Sequence, residues 1–385
     1  MRLAVYHNQH AGGAARVIES YLRQTRGRHQ VDLFMPDTAD TGFIDLESLV
    51  DRVHRIPIPG SESPLGRYRR AWAVPGYGKR IAAEIDRGDF EVVFANLSYV
   101  TQSPEILPYL KTPSVYYCPE PLRAIYDPVE IPIGSPLKRA AKKAFFAAYD
   151  AKRKRFDRQA ITAADRVFTH SLFTRETLRR IYGVQAEVIH LGVDTDTFRP
   201  KRRRRERFVI SVGAMHPLKG HQFVIEALGT LPAAGRPPLT IVGPRGDYGV
   251  VLEGLAKNRG VSLTLKQSIS TDELVDLYNR AGVMAAAQYR EPFGLITLEA
   301  MACGTPVVAV AEGGLKETVR DGHTGLLTPR DPAAFGSALA RVLGDAKLTA
   351  RLGTAGRQDT EQNWQWSVVA EKIDRLLAET ARAGR

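Results

Sequence analysis

A rhythm limits what this chain can fold into. Short runs rich in β-branched and other apolar residues alternate with helical stretches along almost its whole length. The runs Leu3–Tyr6, Val31–Met35, Glu91–Ala95, Ser114–Tyr117, Arg166–Thr169 and Glu187–His190 read as strands. After a basic stretch the pattern restarts with Phe208–Val212, Leu239–Val242, Ser262–Leu265, Val283–Ala287 and Pro306–Val310. Helices are expected between them, at Gly13–Gln24, Thr174–Tyr182, Gln222–Leu228, Asp272–Ala281 and Pro332–Leu343. Strands that are apolar on both sides and separated by helices mark parallel sheets covered on both faces, so the fold class is α/β.

At 385 residues the chain is too long for one comfortable core, and two domains are the natural expectation. The boundary falls in the turn-rich, charged stretch "DTDTFRPKRRRRER", Asp194 to Arg207. That divides the chain into a first domain at 1–195, a second at 196–362 and a terminal segment at 363–385. The terminal segment, "NWQWSVVAEKIDRLLAE", is amphipathic and reads as a helix that docks back on the first domain. Ligands of open α/β sheets bind beyond the carboxyl ends of the strands, where loops enter helices. Two such domains on a short linker would set two crevices face to face.

Charge and composition narrow the class further. Lys138 to Arg158 carries a net +7 and Lys201 to Arg207 a net +5, which together make up the whole +12. A charge confined to two segments argues against a nucleic-acid-binding surface and for local contacts with something anionic. Between Leu137 and Ile161, Leu137, Ala141, Phe145, Ala148 and Phe156 recur at roughly helical spacing among lysines and arginines. That pattern suits an anionic membrane surface through 138–158 as well as it suits a solvated helix with a core-facing side. Cys118 and Cys303 form neither a disulfide framework nor a metal cluster. A cytoplasmic protein is expected, or one peripheral at the inner face of the cell membrane. The first residues lack a signal-peptide pattern, and no run approaches a membrane span.

The densest chemistry lies in "YREPFGLITLEAMACGTPVV", Tyr289 to Val308. Pro292 stops the preceding segment, and a helix is expected to start at Phe293 or Gly294. Its first amides, at Gly294, Leu295 and Ile296, then form an anion site. Five residues on, about 7.5 Å along the axis, Glu299 sits among apolar neighbours where an unpaired carboxylate is costly. A pair of ribose hydroxyls would satisfy both its oxygens, while Glu291, before the helix, would reach a sugar beyond the diphosphate. Two weaker signals accompany this one. Gly12 and Gly13 after the first strand permit close backbone approach, and Lys219, after the strand ending at Val212-Gly213, can meet phosphate oxygens.

The stretch "EPFGLITLEAMACGTPVVA", with "EGGLKETV", "DGHTGLL", "VIHLGVDTDTFRP", "GAMHPLKGH" and the N-terminal Gly-Gly loop, resembles the signature of the retaining glycosyltransferase family 4. The resemblance implies the GT-B architecture, two facing Rossmann-like domains, with the nucleotide held mainly by the second. It implies an enzyme that moves a hexose of mannose or glucose type from a GDP- or UDP-sugar to a hydroxyl of a glycan or lipid-linked acceptor. Carried over by position, Glu291 would contact the transferred sugar and act in catalysis, and Glu299 would bind ribose. Phe293, Gly294, Leu295, Ile296 and Thr297, with Gly213 and Lys219, would hold the donor, and Gly12 and Gly13 would meet its diphosphate from the first domain. No cofactor or metal is implied, because helix amides and cationic side chains neutralise the leaving group; Asp194-Thr-Asp196 reads as a turn. Two positions depart from the family pattern. Ala214 stands where an arginine is usual, with His216, Arg245 and Arg290 as substitutes. Pro119 replaces a histidine in "YYCPEPLRAIYD", where Glu120 and Arg123 would line the donor-sugar or acceptor pocket. These departures keep two other readings open: a degenerate partner subunit, and an epimerase or phosphorylase on the same scaffold.

Overall fold

The computed structural model describes residues 1–8, 13–37, 45–58, 63–126 and 136–384. The side chains of 64, 65, 67, 68, 70, 71 and 136–145 lie outside that description. The described chain gathers into two compact units. One comprises Met1–His170, Thr174–His190 and Trp366–Arg385; the other comprises Ser171–Phe173 and Leu191–Gln365.

The first unit alternates strands and helices. β1 (Arg2–Asn8) leads to α1 (Gly13–Gln24), followed by β2 (Gln30–Pro36), β3 (Arg52–Ile56), α2 (Pro64–Asp86) and β4 (Val92–Ser98). β5 (Ser114–Tyr117), α3 (Arg123–Tyr126), α4 (Pro136–Ala163), β6 (Arg166–Thr169), α5 (Leu172–Tyr182) and β7 (Glu187–Val188) complete the run. The seven strands are parallel and lie in the order β3-β2-β1-β4-β5-β6-β7. The central strands are buried on both faces, as their unbroken apolar runs require.

In the second unit, β8 (Glu206–Val212) is followed by α6 (His221–Gly229), β9 (Leu239–Val242), α7 (Tyr248–Arg259) and β10 (Leu263–Lys266). Next come α8 (Thr271–Arg280), β11 (Ala281–Ala286), α9 (Leu295–Ala302), β12 (Val307–Val310), α10 (Leu315–Thr318) and β13 (Gly325–Thr328). α11 (Pro332–Gly344) and α12 (Ala346–Asn363) close the unit. Its six parallel strands run β10-β9-β8-β11-β12-β13, so the order reverses between β8 and β11. That reversal opens a crevice at the carboxyl ends of those two strands.

The last helix, α13 (Trp366–Ala383), belongs to the first unit and packs on α1, β4 and β5. Val369, Ile373, Leu376 and Leu377 form its buried stripe at helical spacing. Asp374, on the same helix, accepts from Tyr21 Oη at 2.6 Å and lies 2.9 Å from His29 Nε2. No helix among the described residues is long and apolar enough to cross a membrane.

Candidate functional site

The crevice of the second unit is built by two loops. The apolar run of β8 ends at Val212, and Gly213 turns the chain outward. Pro217–Lys219 then forms one 3-10 turn, capped where His216 Nδ1 accepts from the Leu218 amide at 3.2 Å. Gly220 follows in the left-handed region, with φ +69°. A Cβ there would stand 1.9 Å from the Ala287 carbonyl oxygen, so only glycine lets this loop lie against the one that follows β11.

Beneath the first loop, His221 is fully buried. Its Nε2 donates to the Gly213 carbonyl at 3.1 Å, leaving Nδ1 to accept from Ser211 Oγ at 2.9 Å. Burial pushes its pKa down to about 4, so the ring is a neutral strut between strand and loop.

The second loop, 287–294, crosses to meet the first. The Tyr289 amide donates to the Leu218 carbonyl at 2.9 Å. Lys219 Nζ and Glu291 Oε2 form an ion pair at 3.0 Å, with the lysine 34% and the glutamate 17% exposed. Spacing alone separates these residues by more than seventy positions, and the sequence placed them on different groups of one ligand. The crossing of the two loops makes them neighbours.

The expected helix start moves by one or two residues. Gly294 is not in the helix; it is the N-cap, with φ +100°, and α9 begins at Leu295. Phe293 is also outside it and is buried, its ring 5.8 Å from that of Trp364. The chain bends at Pro292-Phe293, and the left-handed turn at Gly294 then leads it into the helix. Leu295 and Ile296 are partly exposed at that first turn. Thr297 is fully buried, and its hydroxyl donates to the Gly294 carbonyl at 2.7 Å, close to Thr318. The Thr297 amide donates to the Gly294 carbonyl at 2.9 Å, while those of Leu295 and Ile296 have no acceptor within the helix and carry the positive end of its dipole.

Glu299 is buried, with 5% of its surface exposed. Tyr278 Oη donates to its Oε2 at 3.2 Å, a partner in addition to the expected ribose hydroxyls. Tyr278 lies in the last turn of α8, is itself wholly buried and packs edge-on against Phe198. No local signal marks it, because its partner lies 21 residues away on another helix.

Each of the three candidates for the missing arginine has a contact of its own. His216 caps the 3-10 turn, Arg245 pairs with Glu253 at 2.7 Å, and the Arg290 guanidinium lies 6.0 Å from the Phe173 ring. Asp194 closes its own turn, accepting from the amides of Asp196 and Thr197 and from the Thr197 hydroxyl. Among the described residues, no three His, Cys, Asp or Glu side chains gather as a metal-ligand set. Burial pushes the Cys303 thiol up to about 12 and the Cys118 thiol also upward, so neither is a ready nucleophile.

The basic stretch at 201–207 lies at the other end of the sheet, beside a cavity of about 680 Å³ near the amino ends of β8 and β11. Three of its arginines make internal bonds. Arg205 reaches the carbonyls of Tyr278, Ala281, Cys303 and Gly304, Arg203 pairs with Asp276, and Arg207 reaches the Gly235 carbonyl. Arg205 thus ties the foot of the sheet together, while Lys201, Arg202, Arg203, Arg204 and Arg207 stay exposed.

In the first unit, Gly13 opens α1, while Gly12 lies outside the described residues. Asn96, at the end of β4, holds the turn of α1 by donating to the Ala14 carbonyl at 3.0 Å. Pro119 and Glu120 follow β5. The Glu120 carbonyl accepts from Gln102 Nε2 at 3.1 Å, and the Glu120 carboxylate lies 3.8 Å from Arg123. Of the basic helix, the side chains of Lys138 to Phe145 lie outside the description. Further along α4, Phe156, Ala160 and Ile161 are core, and Lys152 covers the exposed Trp72 ring at 3.2 Å.

Comparison with known proteins agrees with this geometry. The model of the glycosyl transferases group 1 matches residues 193–359, and that of glycosyltransferase family 4 matches residues 11–197. The chain belongs to the family 4 type glycosyltransferases. A D-inositol 3-phosphate glycosyltransferase of Streptomyces bingchenggensis is 33% identical over 60% of this chain and 56% of its own length. A GDP-mannose-dependent alpha-(1-6)-phosphatidylinositol monomannoside mannosyltransferase of Mycolicibacterium smegmatis is 35% identical over 56% of this chain and 62% of its own. The match thus spans roughly three fifths of these curated relatives. Among solved structures, a sucrose-phosphate synthase from Thermosynechococcus elongatus superposes with a TM-score of 0.78 at 23% identity, covering 99% of both chains. HepE of Anabaena in complex with UDP-glucose gives 0.72 at 19%, covering 98% of this chain and all of that one. Such likeness establishes the GT-B fold of this family 4 chain.

Proposed function

We propose that this family 4 chain transfers a hexose from a nucleotide-diphosphate sugar to a hydroxyl of a glycan or lipid-linked acceptor, with retention at the anomeric carbon. One observation carries the reading. A lysine–glutamate pair, the first turn of a helix and a buried glutamate follow one another along a single crevice at the reversal of the second sheet. A nucleotide sugar has the matching order of sugar, diphosphate and ribose. The amides of Leu295 and Ile296, with Lys219, face the negative diphosphate; Glu299, oriented by Tyr278, takes ribose hydroxyls; Glu291 takes hydroxyls of the hexose. The relatives named for inositol phosphate and phosphatidylinositol mannoside acceptors, and the neighbour solved with UDP-glucose, support the substrate class.

The reaction follows from these positions. The bond between the anomeric carbon and the diphosphate oxygen breaks, and the acceptor oxygen bonds to that carbon on the same face. The acceptor proton passes to the departing diphosphate. Lys219 and the helix amides stabilise the charge that develops there, without a metal ion in that role. The acceptor is met by loops of the first unit near Pro119, Glu120 and Arg123, and by peripheral contact of the basic helix with an anionic membrane when the acceptor is lipid-linked.

Thermal-shift measurement with UDP-, GDP- and ADP-sugars tests this reading. A donor at a hundred times its dissociation constant adds about 2.7 kcal/mol of stability, and a clear rise with one base is expected. Glu299→Ala should weaken the nucleoside diphosphate itself. Unchanged nucleotide affinity in that variant sinks the ribose assignment, and no shift with any donor sinks the function.

A further inference from the structure

Three loops at the carboxyl ends of the second sheet converge on one side chain, Arg330, which leaves the loop between β13 and α11. Its Nε and Nη2 grip the two oxygens of Glu312, after β12, at 2.8 and 2.7 Å. The same guanidinium reaches the loop after β11. Nη1 donates to the Ala287 carbonyl at 2.9 Å and Nη2 to the Gln288 carbonyl at 2.8 Å. Its plane covers the Tyr289 ring, 3.8 Å from the centroid, with the Phe223 ring of α6 at 5.2 Å. A two-pronged carboxylate contact, two carbonyls and an aromatic face use the planar fork as a lysine could not.

These contacts close a circuit around Glu291. Arg330 fixes the chain at 287–289, just before it. Just after it, the Gly314 amide donates to the Glu291 carbonyl at 2.8 Å, and Gly314 lies two residues from Glu312, which holds Arg330. Between the two anchors, Arg290 adopts φ +46°, a conformation that a non-glycine residue keeps only when its surroundings impose it. Arg330 supplies that constraint from one side.

We propose that Arg330, locked by Glu312, is a positioning residue for Glu291: it sets where that carboxylate meets the donor sugar. The proposal rests on the donor reading above for the identity of the ligand, though not for the mechanical link. Arg330 touches neither the diphosphate amides nor Glu299, so its effect should fall on the sugar and spare the nucleotide.

The test compares wild type with Arg330→Ala, Arg330→Lys and Glu312→Gln in the full chain. Amide hydrogen exchange reads the mechanical link. The Tyr289 and Gly314 amides should exchange about tenfold faster in both Arg330 variants, while the Met284 amide in β11 stays as in wild type. Calorimetric titration reads the consequence. The affinity that the nucleotide sugar gains over its bare nucleoside diphosphate should fall about tenfold, with diphosphate affinity held within about twofold, and turnover should fall by as much as a hundredfold. Unchanged exchange at Tyr289 and Gly314, or equal weakening of both ligands, overturns the proposal. So does full rescue by lysine, which lacks the planar fork. If Arg330→Ala does not fold, Glu312→Gln carries the same readings. A wild-type chain that binds no nucleoside diphosphate overturns the proposed function, and the exchange measurement still decides the positioning role.

Discussion

Glu291 and Glu299 are eight residues apart and have different surroundings, so they should fail differently when changed. Glu291 is partly exposed and paired with Lys219, whereas Glu299 is buried against Tyr278. Glu291→Gln keeps the shape and removes the charge. The expected result is nucleoside diphosphate affinity within about threefold of wild type and turnover lower by about a hundredfold or more, measured as separate Kd and kcat values. His221 offers a pH reading. Its folded pKa, about 4, lies below the ordinary 6.5, so the unfolded chain takes up the proton first as pH falls. Stability is unaffected above pH 7 and is lost between 6.5 and 4. The advantage of wild type over His221→Asn should therefore shrink by about 3 kcal/mol across that window in urea titrations. Both glutamates and Lys219 were legible in the sequence as candidates because each stands close to a strand end or a helix start. Tyr278 and Arg330 were not, since their partners come from separate loops and helices whose meeting is decided by the sheet order.

Loops that cross closely make glycine a structural requirement at the scale of elements. Gly220 holds the 3-10 turn against Ala287, and Gly220→Ala meets both a backbone clash and a left-handed conformation. The conformation alone costs about 1–3 kcal/mol. The expected outcome is a lower melting temperature together with weaker nucleotide binding, because Lys219 moves with the turn; a calorimetric scan and a titration on the same variant check both. Most strands were legible as apolar runs, and Ser114–Tyr117, Arg166–Thr169 and Leu239–Val242 match residue for residue. β3 and β13 were not. β3 is an edge strand with the polar sequence RVHRI, and β13 is four residues long and opens on glycine, so neither carries the buried-strand signal. α2 escaped for a related reason: its glycines and Pro75 interrupt the helical pattern that its packing nonetheless sustains.

The whole molecule is two units, and the first includes the stretch that follows the second in sequence. α13 covers α1, β4 and β5, and its buried stripe and the Asp374 bonds to Tyr21 and His29 belong to the first unit's core. Burial works against the Asp374 charge, but hydrogen bonds from His29 and Tyr21 outweigh it and hold the carboxyl below its usual range. A chain ending at Gln365 should keep a cooperative second unit and lose the first unit's melting transition, or show it at a much lower temperature. Two resolved transitions in differential scanning calorimetry of the full chain, with only the first unit's affected by the truncation, would bear this out. The amphipathic pattern after Asn363 made this helix legible, although its exact start at Trp366 depends on contacts the sequence does not display. The same topology sets an order on synthesis. Residues 191–365 emerge as one uninterrupted stretch and have every strand of their own sheet to hand. The earlier-made unit must wait, its α1, β4 and β5 surfaces uncovered, until residues 366–383 leave the ribosome. The half translated first is thus the half finished last, and that interval is when its apolar faces most need protection from aggregation.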